Sequence, residues 1–331
     1  MKRREFITLL GGAAAMCPLA ARAQQSERVW RMGVLWAFRE NAPEANALLS
    51  ALTQGLSELG WIDGRNMRLD VRWAGDSVER MRLFAKDLVD LQPDVIHTTS
   101  TPATAALQQA TQTIPIVFAG ISDPVGAGFV SSLAHPGANL TGFINIEASL
   151  VGKWLELLTD IAPGITRAAL IFNPETAPSG GDYYFPTFEA AAKSINVVPI
   201  AASVRSDAEI ETIIASLGRE PRGGFVVMPD NFMIIHRATT ILLAAKYKVP
   251  AIYHYNFYAR DGGLLGYGPD PVDIFRRSAS YIDRIFRGAK AGGLPVQLPI
   301  KFDMTLNAKT ARMLGLTVPD KLLATADEVI E

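Results

Sequence analysis

The sequence predicts an α/β protein with two Rossmann-like lobes, each built on a parallel sheet, joined by a multi-strand hinge. Three observations carry that prediction. Strand-like and helix-like patterns alternate from Val29 onward, as they do when parallel strands are covered by helices on both faces. The alternation breaks at His135-Pro136-Gly137-Ala138-Asn139 and restarts as a second series of similar length. One continuous sheet of roughly ten strands would be wider than open sheets usually grow, so two lobes are expected. After Asp270 a helix and a further extended segment give the chain the means to recross between the halves.

The elements follow in order. Met32–Trp36 is a short apolar strand, and Asn41–Gly60 has helical spacing, with Ala45, Leu48, Leu49, Leu52, Leu56 and Leu59 on one face. Asn41-x-x-Glu44 suits an N-cap and Gly60 a C-terminal stop. Met67–Trp73 alternates as a strand, and Ser77–Leu91 returns to helix. Asp94–Thr98, Pro102–Ala110, Ile114–Ala119 and Val125–Leu133 continue as strand, helix, strand and helix, and Leu140–Phe143 is strand-like. The second series opens with a helix carrying Leu150, Trp154, Leu157, Leu158 and Ile161 inward. Strand Arg167–Phe172, helix Phe185–Ile195, strand Val197–Ala202, helix Asp207–Leu217, strand Phe225–Met228 and helix Phe232–Lys246 follow. Pro250–Tyr253 and Leu264–Tyr267 close that half. Val272, Phe275, Ala279, Ile282 and Ile285 then make an amphipathic helix ending near Gly288, and Ile300–Met304 is the last strand. The predicted division is residues 28–143 plus about 268–296 in one lobe and 144–267 plus about 297–331 in the other.

The first 23 residues read as a cleavable export signal. Lys2, Arg3 and Arg4 precede a short apolar run, and Ala21-Arg22-Ala23 is an A-x-A exit. An apolar core this short falls well below the ~20 residues of a membrane span. Arg3-Arg4-Glu5-Phe6-Ile7 has the form of a twin-arginine signal. Cys17 could carry a lipid anchor, but Met16 before it is larger than such sites use, so a free periplasmic chain is the expectation. Cleavage leaves 28 basic and 32 acidic residues, a net charge of −4. That balance gives no basic field for nucleic acid or an anionic membrane. A single cysteine and four scattered histidines exclude a disulfide framework and multi-cysteine metal sites. No cofactor is expected. There is no G-x-S-x-G elbow, H-E-x-x-H pair or P-loop, and Gly126-x-Gly128 lacks the rest of a dinucleotide fingerprint. The chain therefore reads as something other than an enzyme.

Several segments share one pattern: Ser100-Thr101-Pro102-Ala103-Thr104, Ser122-Asp123-Pro124-Val125-Gly126-Ala127-Gly128 and Pro136-Gly137-Ala138-Asn139-Leu140-Thr141-Gly142. Gly152-Lys153-Trp154-Leu155-Glu156-Leu157-Leu158, Phe172-Asn173-Pro174 and Leu314-Gly315-Leu316-Thr317-Val318-Pro319 extend it to the end of the chain. In their order and spacing they resemble the substrate-binding proteins of ABC importers, in the group that includes tryptophan/tyrosine-binding proteins. The resemblance implies a type 1 periplasmic binding protein fold, a monomer, a small-molecule ligand in the interlobe cleft and transient docking to an inner-membrane permease. A sensory module of the same fold, serving a membrane kinase or chemoreceptor, is the alternative.

Independently of that resemblance, ligands of open parallel sheets sit beyond the carboxyl ends of the strands. The rule selects Phe38 and Arg39 after the first strand, then Ser100, Thr101, Pro102 and Ala103 after the third, then Ser122 and Asp123 after the fourth. In the second half it selects Asn173, Asp230, Asn231, Tyr253, Tyr255 and Tyr267. Hydroxyls ahead of Pro102 suit a ligand carboxylate at a helix N-terminus, and Asp230 suits an amine. Simple N-capping by Thr101 and by Asp230 is the competing reading of the same residues, and the sequence leaves both open.

Overall fold

In a computed structural model the described residues are 28–219 and 222–331. The expected export signal, residues 1–23, and Cys17 within it lie outside them.

The first lobe carries a five-stranded, all-parallel sheet of order β2-β1-β3-β4-β5. Its strands are β1 (Trp30–Trp36), β2 (Met67–Trp73), β3 (Val95–Thr99), β4 (Ile116–Ile121) and β5 (Leu140–Ile144). Side chains alternate across a strand, so Met32, Val34 and Trp36 enter one core layer while Leu35 enters the other. Helix α1 (Pro43–Glu58) covers the first face; α2 (Val78–Asp90) and α3 (Thr101–Ala110) cover the second.

Helix α1 ends as its sequence dictates. Gly60 takes a φ of +93°, its N–H meets the Ser57 carbonyl at 3.0 Å, and the Trp61 N–H meets the Leu56 carbonyl at 2.9 Å. These are the paired bonds of a Schellman stop. The start of α1 departs from expectation. Ala42, with no side-chain bond, is the N-cap, and Asn41 lies outside the helix at a φ of +64°. Pro43 fixes the first turn and needs no amide partner.

The second lobe carries a seven-stranded sheet of order β12-β11-β10-β9-β8-β6-β7. The parallel part comprises β6 (Arg167–Phe172), β7 (Val198–Ser203), β8 (Gly223–Val227), β9 (Ala251–Tyr253) and β10 (Leu265–Pro269). Its helices are α4 (Leu150–Ile161), α5 (Phe185–Ser194), α6 (Asp207–Arg219), α7 (Asn231–Ile235), α8 (Arg237–Lys246) and α9 (Asn256–Arg260). The long helix α10 (Pro271–Phe286) leaves this lobe and packs Ile274, Phe275, Ala279, Ile282, Ile285 and Phe286 into the core of the first. The chain then returns through β11 (Phe302–Asn307), α11 (Ala308–Met313), α12 (Asp320–Thr325) and β12 (Glu328–Ile330).

Three expectations change. β11 runs antiparallel to β10, because the returning chain enters the second sheet from the opposite end, so that sheet is not wholly parallel. Val125–Leu133 forms turns rather than a helix: Gly126 and Gly128 interrupt it, Gly128 at a φ of +71°, while Phe129 and Val130 still bury in the core. The helix expected over Phe232–Lys246 is two helices meeting at His236.

The chain crosses between lobes after β5, after β10 and before β11. These crossings adjoin one another: the Ile144 N–H bonds the Gln297 carbonyl at 2.9 Å, and the Asp270 N–H bonds the Lys301 carbonyl at 3.0 Å.

Candidate functional site

The carboxyl ends of β1, β3, β4 and β5 face those of β6, β8, β9 and β10 across a cleft of about 1050 Å³, part of it open to solvent. Both parallel sheets have the order 2-1-3-4-5 within their own lobe, so each presents its topological switch point there. Of the residues selected from the sequence, Phe38, Ser100, Thr101, Ser122, Asp230, Asn231 and Tyr255 line the cleft together.

The others lie elsewhere. Arg39 is exposed outside it. Pro102 faces a separate depression beside Arg82 and Glu175, and Ala103 is buried inside the first lobe. Asp123 turns back to accept the Gly126 N–H at 2.8 Å. Asn173 holds its own turn, its Oδ1 accepting the Glu175 N–H at 2.8 Å. Tyr253 is buried and stacked on Tyr258 at 4.8 Å, and Tyr267 packs toward Phe302.

The capping assignments also sort themselves. Ser100, not Thr101, is the N-cap of α3, its Oγ accepting the Ala103 N–H at 3.4 Å. It does so at φ +67° and ψ 151°, a region that is essentially glycine's and costs other residues about 1–3 kcal/mol. Such strain persists only where the surroundings hold it, here at the lip of the cleft. Asp230 caps α7. Its Oδ1 accepts the Met233 N–H at 2.8 Å and the Thr176 hydroxyl at 3.1 Å, and its Oδ2 accepts the Asn173 N–H at 2.9 Å. Burial pushes its carboxyl up to about 7, against the pull of those donors.

The other charged groups on the cleft wall each meet an opposite charge. Glu44 makes a bidentate pair with Arg237 of the facing lobe at 2.9 and 3.0 Å. Arg260 is held by Glu328 at 2.8 Å. Asp270 caps α10 and takes Lys301 at 2.8 Å. What the cleft offers a ligand is otherwise neutral: the hydroxyls of Thr99, Ser100, Thr101, Ser122, Thr176 and Tyr255, the amides of Asn145, Asn231 and Asn256, and the first turn of α3. Its apolar walls are aromatic, from Phe38, Tyr255, Phe257 and Phe275.

Sequence reasoning did not select Asn145, Thr176, Phe257 or Phe275. Asn145 directly follows β5 and the strand-end rule reaches it; Phe275 carries the helical spacing of a core residue and is both core and wall.

Across the mouth the lobes already touch. Besides the Glu44–Arg237 pair, Asn231 Nδ2 donates to the Gly75 carbonyl at 3.1 Å, and His236 Nε2 lies 3.4 Å from Asp76. The two buried histidines stay out of the cleft. His97 accepts from Trp36 Nε1 at 2.9 Å on Nδ1, so its proton sits on Nε2, 3.0 Å from Ser278 Oγ. His254 is buried directly after β9, its Nδ1 3.2 Å from the Val227 carbonyl. Burial lowers both to about 3, leaving them neutral. Among the described residues no group of acids, histidines or cysteines is placed to hold a metal, and no helix is long and apolar enough to cross a membrane.

Residues 41–330 match the family described as ABC transporter substrate binding protein. The chain is similar to the tyrosine-binding protein of Clostridioides difficile (strain R20291), 24% identical over 274 residues that span 83% of this chain and 78% of the relative. Among solved structures it resembles a conserved domain protein from Vibrio cholerae at a TM-score of 0.85 and 26% identity, over 91% of this chain and all of that one. It also resembles an ABC domain in complex with L-Trp from Streptococcus pneumonia, at a TM-score of 0.83 and 24% identity, over 91% of this chain and 99% of that one.

Proposed function

Because the chain belongs to the ABC transporter substrate-binding protein family, whose members bind solutes rather than transform them, we propose that it is the exported receptor of an importer for an amino acid with a flat, apolar side chain. The observation that carries this reading is the match of charge and shape in the cleft. Glu44, Arg260 and Asp270 each meet an opposite charge within the protein, and the buried Asp230 carboxyl is held by three protein donors. A ligand of net charge would enter uncompensated, whereas a zwitterion brings its own balance and needs only hydrogen bonds.

The first turn of α3 supplies the Thr101 N–H and the hydroxyls of Ser100 and Thr101 for the carboxylate. Phe38, Phe257 and Phe275 supply faces for a ring, in the edge and offset contacts that aromatic pairs favour. Both named relatives that bind a ligand take an aromatic amino acid, tyrosine in one and L-Trp in the other, which supports the same class here. The reading places the mature chain in the periplasm as a monomer that presents its closed form to a permease. Binding is then coupled to closure, because only the closed form brings ligand contacts from both lobes together.

Titration calorimetry of residues 24–331, refolded to remove any bound solute, against the standard amino acids tests it. Micromolar binding of tryptophan, tyrosine or phenylalanine, with acidic and basic amino acids silent, is the expected outcome. Preference for a charged amino acid, a sugar or a polyol would overturn it.

A further inference from the structure

We propose that Asn145, at the crossing after β5, is a specificity-determining residue that fixes the hydrogen-bonding sense of the two cleft groups on either side of it. The inference deepens the amino-acid reading above and rests on it. Asn145 bridges the lobes. Its Oδ1 lies 2.9 Å from Ser122 Oγ of the first lobe, and its Nδ2 lies 3.2 Å from the Tyr255 hydroxyl of the second. All three residues line the cleft, and all are nearly buried, at 3%, 5% and 6% exposure for Ser122, Asn145 and Tyr255.

The amide's orientation is not arbitrary. The Ile146 N–H, 2.6 Å from one end of the Asn145 amide, can only donate, so that end is the oxygen and the other is the NH2. Two consequences follow from the proton count. Ser122 meets an acceptor and must spend its one hydrogen on Asn145, so toward the cleft it offers lone pairs. The Tyr184 hydroxyl beside it is committed to the Ile146 carbonyl at 3.0 Å. Tyr255 meets a donor and must accept, so its own O–H is left to point at a ligand. Burial pushes the Tyr255 hydroxyl up to about 12, which keeps that proton in place throughout the neutral range.

The wall at the hinge therefore presents an acceptor at Ser122 and a donor at Tyr255, held by a single amide. The complement is a ligand N–H beside Ser122 and a ligand acceptor beside Tyr255, as the ammonium and carboxylate of an α-amino acid provide. A carboxylate has two oxygens, so this contact adds to the one at the first turn of α3.

Asn145→Asp tests the assignment with almost no change of shape. The new carboxylate keeps the bonds to Ile146 and Ser122 but cannot donate, so Tyr255 turns its O–H away from the ligand to meet it. Three probes separate the ligand groups: L-tryptophan, tryptamine without the carboxylate, and indole-3-propionate without the amine. In Asn145→Asp, affinity for L-tryptophan and indole-3-propionate should fall about tenfold, the scale of one hydrogen bond to a charged group, while tryptamine holds or gains. Tyr255→Phe should lose the same two ligands, and the double variant should be no weaker than Tyr255→Phe alone, because Asn145 acts through that hydroxyl. If Asn145→Asp does not fold, the Tyr255→Phe selectivity decides the matter. Equal loss on all three probes, or additive losses in the double variant, would refute the role of Asn145 while leaving the amino-acid reading intact. A wild-type protein that binds neither these three nor the matching probes of tyrosine and phenylalanine would overturn that reading and this inference together.

Discussion

The bidentate pair across the cleft mouth makes a quantitative prediction about ligand release. Glu44 and Arg237 come from facing lobes, and their side chains are 12% and 19% exposed. Opening the cleft must separate them. A hydrogen-bonded pair between charged groups contributes about 1.5–3 kcal/mol net when little of it is exposed. Arg237 keeps a second partner, Asp261 at 2.7 Å, so removing Glu44 leaves the guanidinium compensated. Glu44→Gln should then sit at the low end, about 1.5 kcal/mol, or roughly tenfold. Arg237→Gln leaves the Glu44 carboxylate without its partner in the closed state and should cost more, about 3 kcal/mol. Because the pair forms only on closure, the loss should fall on the off-rate, with the on-rate nearly unchanged. Stopped-flow fluorescence with L-tryptophan, or whichever aromatic amino acid binds tightest, measures both rates. Glu44 lines the cleft and Arg237 does not, so the pair of variants separates a latch from a direct ligand contact. An unchanged off-rate in Arg237→Gln, with a large effect in Glu44→Gln, would refute the latch.

His97, whose folded value of about 3 lies below the ordinary 6.5, binds fewer protons in the native state than in the unfolded one. Its contribution is complete above pH 6.5 and is lost as pH falls. Between pH 7 and 5 the wild type should lose about 2 kcal/mol more than His97→Gln, read from paired urea melts; parallel pH slopes would count against it. Asp230, raised to about 7, runs the other way, favouring the native state as pH falls through 7. Asp230→Asn should thus steepen the acid loss. Ser100→Gly should relieve backbone strain and leave stability equal or about 1 kcal/mol higher, while Ser100→Ala keeps the strain, drops the cap and loses about 1 kcal/mol; urea midpoints in the reverse order would contradict this. At Gly55 an added Cβ would meet the Arg276 carbonyl at 2.7 Å and the Ala279 Cβ at 2.9 Å. Gly55→Ala should therefore force α1 off α10 and cost about 1–3 kcal/mol in the same melts.

Much of the fold was legible because period and punctuation agreed. β2 begins and ends where its alternation does and β6 where its apolar run does, and Gly60 stops α1 by a backbone conformation that glycine adopts without strain. The failures have local causes. Val125–Leu133 has apolar spacing without helical backbone, since two glycines and the Asp123 carboxylate fold it into turns. The direction of β11 depends on which lobe the chain is leaving, and no local pattern encodes that. At the cleft, strand ends indicated the right loops but not which way each side chain turns. Tyr253 and Tyr255 are two apart at one strand end, yet one stacks inside the second lobe and the other reaches the cleft. Asp230 shows the same limit: its residue type suits both an amine and a helix cap, and only the positions of Met233, Asn173 and Thr176 show that its oxygens are occupied.

The passage of α10 into the first lobe bears on how the molecule is made. The layer containing Met32, Val34 and Trp36 is closed by Phe275, Ile282 and Phe286, which are synthesised about 240 residues later. Until then one face of the β2-β1-β3-β4-β5 sheet has only α1 to cover it, and Trp36 lacks the edge-on contact with Phe275 at 5.0 Å. The first lobe to be translated is thus among the last parts to be completed, and a chain cut after β5 would expose an apolar layer rather than yield half a receptor.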